Sequence, residues 1–440
     1  MTAYLIQGAA RYGQDRTDLL LDGGQITATG PEAAAAAGDA VRIDADGLIA
    51  LPGLVDLHTH LREPGREDAE TVASGTRAAA AGGYTCVHAM ANTTPTADTA
   101  GVVEQVWRLG RDAGWVEVRP IGAVTVGRAG TQLAELGAMA DSAAAVRVFS
   151  DDGDCVHDPV LMRRALEYVK AFDGVIAQHA QEPRLTQGAL MHEGVVSAQL
   201  GLTGWPAVAE EAIIARDVLL AEHVGSRVHI CHVSTAGSVE ILRWAKQRGI
   251  AVTAEVTPHH LFLTDEAVRG YDPQFKVNPP LRTAEDVAAV RAGLADGTID
   301  IVATDHAPHP REDKDCEFAA AAMGMTGLET AVAVVAAAML APGEHEFSWA
   351  DVARTMATRP AEIGAVRGQG RPLAAGEPAH LTLIDPDANW RVRPESLRTA
   401  SENTPFTDHE LPARVVATFY RGVATVLDGE PQDDREGAPA

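Results

Sequence analysis

Histidine and aspartate residues recur directly after short apolar runs in this sequence of 440 residues. The candidate positions, in chain order, are His58 and His60, Asp151, His179, His232 and Asp305. Imidazole and carboxylate groups are the ligands that zinc and similar divalent ions favour. The His58/His60 pair alone would be weak evidence, because two polar residues can simply close a strand. Recurrence of the same residue types at five separate points along the chain predicts a metal site.

This number of candidate ligands indicates two ions. We expect one ion to be held by His58, His60 and Asp305, the other by His179 and His232, and the pair to be bridged by Asp151. A hydroxide between the ions would be the nucleophile, because metal binding lowers the pKa of water towards neutrality. Two divalent ions carry four positive charges, of which the two aspartates and the hydroxide neutralise three. The net charge that is left would attract an anionic substrate.

These ligands must be brought to one place by the elements around them, and eight short β-rich runs alternate with Ala-rich segments of helical character. The predicted strands are 49–58, 84–90, 116–124, 146–150, 175–179, 228–233, 251–256 and 299–305. The predicted helices between them include 69–81, 161–171, 208–223, 238–247 and 284–294. This alternation is typical of a parallel α/β fold, the (β/α)8 TIM-like barrel, and a doubly wound open sheet is the alternative.

In such a barrel the active site lies at the carboxyl ends of the strands, where the candidate ligands are found. His58 and His60 are two residues apart on the first predicted strand. Residues with this spacing in a strand point the same way, so both imidazoles can face the barrel mouth.

Strand signals return at both ends of the chain. Runs 19–22 and 25–28 flank a Gly-Gly turn, and runs 380–384, 414–420 and 424–427 follow the barrel region. We therefore expect a small β-sandwich-like domain built from residues 1–53 and 375–440, beside a metal-dependent barrel of residues 54–374. The Ala-rich run 33–37 is interpreted as a loop or short helix, and the polar segment 430–440 as a frayed tail.

Composition excludes several kinds of partner. The formal net charge is −25, from 61 acidic against 36 basic residues, which argues against nucleic acid and anionic membrane surfaces. No apolar run is long enough to predict a membrane span, and the first residues lack the pattern of a secretory signal. The four cysteines are scattered without a CxxC pair, as expected of reduced thiols in a cytoplasmic protein. A small-molecule substrate is the partner that these features favour.

Six segments together resemble the dihydroorotase family of the amidohydrolase superfamily, in its bacterial class I branch. They are DLHTHLREPG (56–65), MANTTP (90–95), FSDDG (149–153), KVNPPLR (276–282), ATDHAPH (303–309) and GLET (327–330). The resemblance covers nearly the whole chain, and the HLREPG and NPPLR stretches separate it from hydantoinase-like relatives. Ala91 departs from the proline usual in its motif.

The resemblance implies a function and a role for each residue. The reaction is the reversible cyclisation of N-carbamoyl-L-aspartate to (S)-dihydroorotate and water, the third step of pyrimidine biosynthesis, with two divalent ions, expected to be Zn²⁺. The implied metal ligands are His58, His60, Asp151, His179, His232 and Asp305, and Asp305 is also the proton shuttle. The implied substrate-binding residues are Arg62, Asn92 and His309 for the carboxylate, Asn278 for the ring amide, and Met323 and Gly324 at the end of a closing loop.

Two neighbours of these residues are open to more than one interpretation. Asp152 either supports a histidine ligand or forms a turn before Gly153, and Asp56 either supports a ligand or caps a turn. His259 and His260 are interpreted as structural.

Other functions fit part of the pattern. A hydantoinase, an allantoinase or another cyclic-amide hydrolase is the alternative within enzymes, but Arg62 and Asn92 favour a substrate with a free carboxylate. A metal-free scaffold for a partner such as aspartate transcarbamoylase would predict lost ligands, whereas all six are present. The sequence leaves open whether the chain forms a homo-oligomer and whether it associates with aspartate transcarbamoylase.

Overall fold

The structure is a computed structural model that describes residues 2–341 and 346–433. Its strands are β1 (Tyr4–Arg11), β2 (Arg16–Asp22), β3 (Gln25–Thr29), β4 (Val41–Asp44), β5 (Ile49–Pro52), β6 (Leu54–Thr59), β7 (Tyr84–Ala89), β8 (Glu117–Pro120), β9 (Val148–Phe149), β10 (Val175–Gln178), β11 (Met191–His192), β12 (Gly204–Trp205), β13 (Val228–Ile230), β14 (Val252–Val256), β15 (Ile301–Val302), β16 (Leu381–Arg391), β17 (Glu410–Tyr420), β18 (Val423–Leu427) and β19 (Glu430–Pro431).

The α-helices alternate with the strands in the middle of the chain. They are α1 (Pro31–Ala36), α2 (Val72–Ala81), α3 (Ala100–Ala113), α4 (Leu136–Asp141), α5 (Pro159–Val169), α6 (Val195–Leu200), α7 (Val208–Val224), α8 (Ala236–Gln247), α9 (Pro258–Phe262), α10 (Ala284–Ala295), α11 (Arg311–Lys314), α12 (Ala331–Met339), α13 (Trp349–Ala353) and α14 (Arg359–Ile363). No helix in the described part of the chain combines the length and the apolar character needed to cross a membrane.

Eight parallel strands form a closed barrel. β6, β7 and β8 pair in that order, and β9, β10, β13, β14 and β15 pair in a second group. Bridges between Gly122 and Phe149 and between Thr59 and His306 join the two groups at both seams. The predicted barrel is therefore confirmed over the alternative of an open sheet.

Apolar side chains fill the barrel and the layer between its strands and helices. An inner cluster contains Met90, Ile121, Val148, Val175, Ala177 and Cys231. A larger cluster packs the outer faces of the strands against helices, with Val103 of α3, Leu166 of α5 and Ile214 of α7 among its buried members. The inner cluster occupies the interior of the barrel, and active sites of such barrels lie at the carboxyl ends of the strands.

The first predicted strand, 49–58, is divided in the structure. β5 pairs with strands of the terminal sheet, whereas β6 belongs to the barrel. The backbone changes partners at Gly53, whose N–H donates to His380 O (3.0 Å), while Leu54 N donates to Gly83 O (3.0 Å). The sequence does not reveal this change of partners, because both halves of the run 49–58 are buried and mostly apolar.

Both chain ends contribute to one nine-stranded sheet in the order β19-β18-β17-β16-β5-β1-β2-β3, with β4 paired to β1. β16 pairs antiparallel with β5, and β1 pairs parallel with β5, so the two ends meet at the centre of the sheet. Ile6, Leu19, Leu381 and Phe419 are buried in its core. The prediction that both chain ends contribute to one β-rich unit is confirmed. The domain boundaries at 53/54 and 374/375 stay predictions. The predicted tail begins with the short strand β19, and its residues 434–440 lie outside the described part.

A pair of glycines in α3 offers a test of the packing between helix and barrel. A Cβ at Gly110 would lie 2.6 Å from Val118 Cγ2 on β8, whereas one at Gly101 would meet no atom of the described residues within 4 Å. Alanine favours helix over glycine by about 0.5–1 kcal/mol, but overpacking costs about 1–3 kcal/mol. We expect Gly110→Ala to lower the free energy of unfolding and Gly101→Ala to leave it equal or higher, as measured by urea denaturation. Equal effects of the two substitutions would contradict this packing.

Candidate metal centre

Polar side chains converge where the barrel strands end. His58 and His60 lie at the end of β6, His179 follows β10, His232 follows β13 and Asp305 follows β15. Each of these side chains belongs to a residue that is no more than 5% exposed. The structure therefore brings five of the six predicted ligands together in one buried cluster, although they are up to 247 residues apart in the chain.

Two histidine pairs form the two halves of the cluster. Asp305 Oδ1 lies 3.0 Å from His60 Nε2 and 3.3 Å from His58 Nε2. On the other side, His179 Nδ1 lies 2.8 Å from His232 Nε2. Each pair thus presents two ring nitrogens to a common space.

Asp152, and not Asp151, lies between the two halves. Asp152 Oδ1 is 3.2 Å from His179 Nδ1 and 3.3 Å from His232 Nε2. The same carboxylate lies 3.4 Å from His58 Nε2 and 3.4 Å from His60 Nε2. The structure therefore places Asp152, and not the predicted Asp151, at the position between the histidine pairs where a carboxylate could bridge two ions.

Strand alternation explains the correction. Val148 of β9 belongs to the cluster inside the barrel, whereas Phe149 packs in the outer layer. Because side chains alternate along a strand, the inward phase that starts at Val148 continues through Ser150 to Asp152. Asp151 faces away, and its carboxylate accepts hydrogen bonds from Val124 N (2.8 Å), Thr125 N (3.0 Å) and the Thr125 hydroxyl.

The cluster fits a pair of divalent ions on its own geometry. The ligand atoms of His58, His60 and Asp152 lie within 4.8 Å of one another, and so do those of Asp152, His179 and His232. His58 Nε2 is buried and makes no hydrogen bond to the described residues, although carboxylate oxygens of Asp305 and Asp152 lie 3.3 Å and 3.4 Å away. A buried imidazole nitrogen without a partner is costly unless it binds something, and four imidazoles with two carboxylates suit zinc.

Glu255 of β14 holds His58 from behind. Its carboxylate lies 2.6 Å from His58 Nδ1 and 3.0 Å from His229 Nε2. Burial acts to raise the pKa of Glu255, but His58 and His229 lower it to about 2. A carboxylate on Nδ1 fixes the ring so that Nε2 points into the cluster. Glu255 was not predicted from the sequence, because it lies inside a strand whose interior residues were assigned to the core.

The two central carboxylates stay ionised for the same kind of reason. Burial acts to raise the pKa values of Asp152 and Asp305, but the adjacent histidines hold both below the usual value. At Asp151, by contrast, burial prevails and raises the pKa. The histidines of the cluster therefore stabilise negative charge on the two carboxylates that face them.

A cavity of about 280 Å³ opens beside the cluster. Its lining includes every residue predicted to bind substrate: Arg62, Asn92, Asn278, His309, Met323 and Gly324. Asn92 Oδ1 lies 2.9 Å from His60 Nδ1, so this residue joins the cavity to the cluster. Asn278 Nδ2 donates to Gln181 Oε1 (3.2 Å), while its Oδ1 is buried without a hydrogen bond to any described residue.

Arg62 and His309 lie side by side in the wall of this cavity. Arg62 Nε donates to Pro308 O (3.0 Å), and its Nη2 lies 3.4 Å from His309 Nε2. Burial lowers the pKa of Arg62 to about 10, so the guanidinium is still charged at neutral pH. Burial, together with the positive charges of Arg62 and Lys314, lowers the pKa of His309 to about 3 and keeps the imidazole neutral.

Gly324 lies directly against His309. A Cβ at this position would be 2.7 Å from His309 Nε2, so only glycine fits there without displacement of the imidazole. The carbonyl of Gly324 accepts a hydrogen bond from the buried ammonium of Lys314 (3.0 Å), which also binds Ala322 O (2.9 Å). In this structure, Lys314 thus ties together two parts of the segment that was predicted to close over the site. The closing motion of this segment stays a prediction.

Arg128 is a second arginine in the cavity that sequence analysis did not identify. Its Nη1 donates to Asp152 O (2.6 Å), and its Nε is buried without a hydrogen bond to any described residue. It follows the predicted strand 116–124 by four residues, which places it at the same edge of the barrel as the ligands. This position in the sequence is the feature that could have identified Arg128 as a candidate site residue.

Asp56 and His260 both make buried hydrogen bonds. Asp56 accepts hydrogen bonds from His58 N (3.1 Å), Thr304 N (3.0 Å) and the hydroxyls of Thr59 and Thr304, and so joins the loops that carry two predicted ligands. His260 contacts Thr257 Oγ1 (2.7 Å) and Pro279 O (3.1 Å), in agreement with a structural role.

Comparisons with known proteins find relatives over nearly the whole chain. A family model described as Dihydro-orotase-like matches residues 47–238. The dihydroorotase of Streptomyces coelicolor is 67% identical over 430 residues, which are 98% of this chain and 100% of that protein. The dihydroorotase of Mycobacterium tuberculosis is 57% identical over 427 residues, 97% of this chain and 99% of that protein. The solved L-hydantoinase (dihydropyrimidinase) of Arthrobacter aurescens superposes with a TM-score of 0.86 at 23% identity, over 99% of this chain and 98% of that one, and shows the shared fold.

The assignment of Asp152, and not Asp151, to the cluster can be tested with two isosteric substitutions. Asp152→Asn should reduce the metal content of the purified protein and its activity, because an amide is a weaker ligand than a carboxylate. Asp151→Asn should retain metal but lower the free energy of unfolding by about 1–3 kcal/mol, since it disturbs three buried hydrogen bonds. Elemental analysis and urea denaturation measure the two effects. Metal loss in Asp151→Asn with full retention in Asp152→Asn would contradict the assignment.

Proposed function

Because the chain belongs to the dihydroorotase family of cyclic-amide hydrolases, we propose that its buried cluster and adjoining cavity interconvert N-carbamoyl-L-aspartate and (S)-dihydroorotate. The observation that carries this proposal is a charged guanidinium, Arg62, in a cavity of about 280 Å³ that opens beside the cluster of six candidate ligands. A cyclic amide with a free carboxylate has the two features that such a cavity can bind at once.

The metal ligands in this proposal are His58, His60 and Asp305 for one ion, His179 and His232 for the other, and Asp152 between them. We propose zinc, which imidazole and carboxylate ligands suit. Bound divalent ions supply two kinds of chemistry at such a site, since they lower the pKa of water to near neutrality and stabilise negative charge on a carbonyl oxygen.

The substrate carboxylate is assigned to Arg62, Asn92 and His309. The planar guanidinium can donate two parallel hydrogen bonds to a carboxylate, which fixes its orientation as well as its position. The neutral imidazole of His309 is proposed to contact the carboxylate without adding charge. Met323 and Gly324 line the same side of the cavity. Asn278, whose Oδ1 has no partner among the described residues, is assigned to the ring amide.

Asp305 is assigned the proton transfer. In the hydrolytic direction water attacks the ring carbonyl, and Asp305 accepts one of its protons. The C–N bond of the ring then breaks, and Asp305 returns that proton to the departing nitrogen. The second water proton leaves with the new carboxyl group, which ionises in solvent. In the biosynthetic direction the same transfers run in reverse.

The setting of this reaction is also a proposal. The third step of pyrimidine biosynthesis takes place where carbamoyl-aspartate is made, and we propose a cytoplasmic location. The four cysteines, all described and all unpaired, support a reducing compartment.

A substrate panel combined with metal removal tests the proposal as a whole. Purified protein should hydrolyse dihydroorotate and should show far weaker activity towards hydantoin and allantoin, which lack the carboxylate. Dialysis against a chelator should remove activity, and added Zn²⁺ should restore it. Preference for hydantoin or allantoin, or full activity in metal-free protein, would refute the proposed site.

Arg62 can be tested separately from the metals. Arg62→Ala should raise KM for dihydroorotate by about 10- to 100-fold, the equivalent of a lost charged hydrogen bond of about 1.5–3 kcal/mol. Arg243→Ala is a suitable control, because Arg243 is on α8 and pairs with Asp296 (2.8 Å) at the surface. Steady-state kinetics of both variants, together with metal content, provide the comparison. An unchanged KM in Arg62→Ala would remove this residue from the substrate site.

A further inference from the structure

A segment from the C-terminal part of the chain crosses the barrel mouth beside the substrate cavity. This strap, residues 398–403, precedes β17 and belongs to none of the eight strand–helix units. Glu329 Oε1 accepts hydrogen bonds from the backbone N–H groups of Arg398 (2.7 Å) and Thr399 (3.1 Å). Glu70 accepts from Ala400 N (3.2 Å), and Ser401 Oγ donates to Ala69 O (2.6 Å). The strap is thus anchored to the barrel along its length.

The last residue of the strap, Asn403, lies behind the cavity wall and binds the backbone of two lining residues, His309 and Gly324. It is 2% exposed. Its Oδ1 accepts a hydrogen bond from His309 N (3.0 Å), and its Nδ2 donates to Ala307 O (3.0 Å) and Gly324 O (3.2 Å). Its own carbonyl accepts from Thr326 N (3.1 Å). One side chain therefore joins the two segments that carry His309 and Gly324.

The chemistry of this position requires an amide. A carboxamide both accepts and donates, so it can bind the N–H of His309 and the carbonyl of Gly324 at the same time. A carboxylate has no donor for the two carbonyls, and alanine has neither group. Because His309 and Gly324 are in close contact in the structure, a small shift of either backbone would change the shape of the carboxylate pocket.

We propose that Asn403 is a positioning residue for the substrate carboxylate. It acts through His309 and Gly324 and does not itself line the cavity. The role rests on the proposed function of that cavity. Lys314 also binds Gly324 O (3.0 Å), so loss of Asn403 should loosen the pocket without removing the closing segment.

The test uses three variants of the full-length, metal-loaded protein. Asn403→Ala removes every side-chain contact, and Asn403→Asp keeps the size and the acceptor for His309 N but lacks the donor. Ser401→Ala is the matched control, since it removes one buried hydrogen bond of the same strap that leads to Ala69 and not to the cavity. KM and kcat for dihydroorotate, the inhibition constant of orotate, the melting temperature and the metal content are measured for each.

Both Asn403 variants should raise KM and the orotate inhibition constant about 5- to 20-fold, with kcat changed less than about 3-fold and metal content unchanged. Ser401→Ala should lower the melting temperature but leave KM unchanged. If Asn403→Ala fails to fold, Asn403→Asp alone gives the comparison. An unchanged KM in the Asn403 variants, or an equal rise in Ser401→Ala, would overturn the inference.

Arg62→Ala, measured in parallel, separates this inference from the proposed function. If Arg62→Ala and the Asn403 variants all leave KM unchanged, the assignment of the carboxylate to this cavity fails. If Arg62→Ala raises KM and the Asn403 variants do not, the cavity assignment stands and only the positioning role of Asn403 is lost.

Discussion

Two carboxylates, Asp152 and Asp305, are buried at the mouth of this barrel, and much of the surrounding structure compensates for their charge. An ionised carboxylate is very costly to remove from water unless positive charge or hydrogen-bond donors replace the solvent. Here the carboxylates face four imidazoles, with Arg62 and Arg128 in the adjoining cavity. The same arrangement that solves the burial problem creates a site for divalent cations and an anionic ligand. The capacity of this site to bind cations and an anion thus follows from the groups that compensate the two buried carboxylates.

Further buried polar groups hold the loops that carry this cluster. Asp56 joins the ends of β6 and β15, Asp151 holds the loop after β8, and Asn403 joins the two segments around His309. Each of these side chains satisfies several backbone groups that cannot reach water. The consequence is rigidity at the barrel mouth, where a site for small molecules needs its ligands held to within a fraction of an ångström.

The acidic exterior and the local character of the site are compatible. The chain has a net charge of −25, yet its substrate is an anion. Screening limits the reach of exposed charges to about 8 Å in physiological salt, whereas buried charges inside the cavity act at short range with little screening. In the proposed function, capture therefore depends on Arg62 and on cations held by the cluster, and not on the surface charge.

The sequence by itself determined the barrel and the kind of chemistry, because both follow from local patterns. Alternation of apolar runs and helical segments locates the strands, and histidines at strand ends locate the candidate ligands His58, His60, His179 and His232. It did not distinguish Asp151 from Asp152, since adjacent residues differ only in the face of the strand, and that face is set by which side of β9 packs inside the barrel. Nor could it show that β5 leaves the run 49–58 to join β16, or that Glu255 and Asn403 reach the site from other parts of the chain. These contacts depend on how distant segments meet, and only the packed tertiary structure decides them.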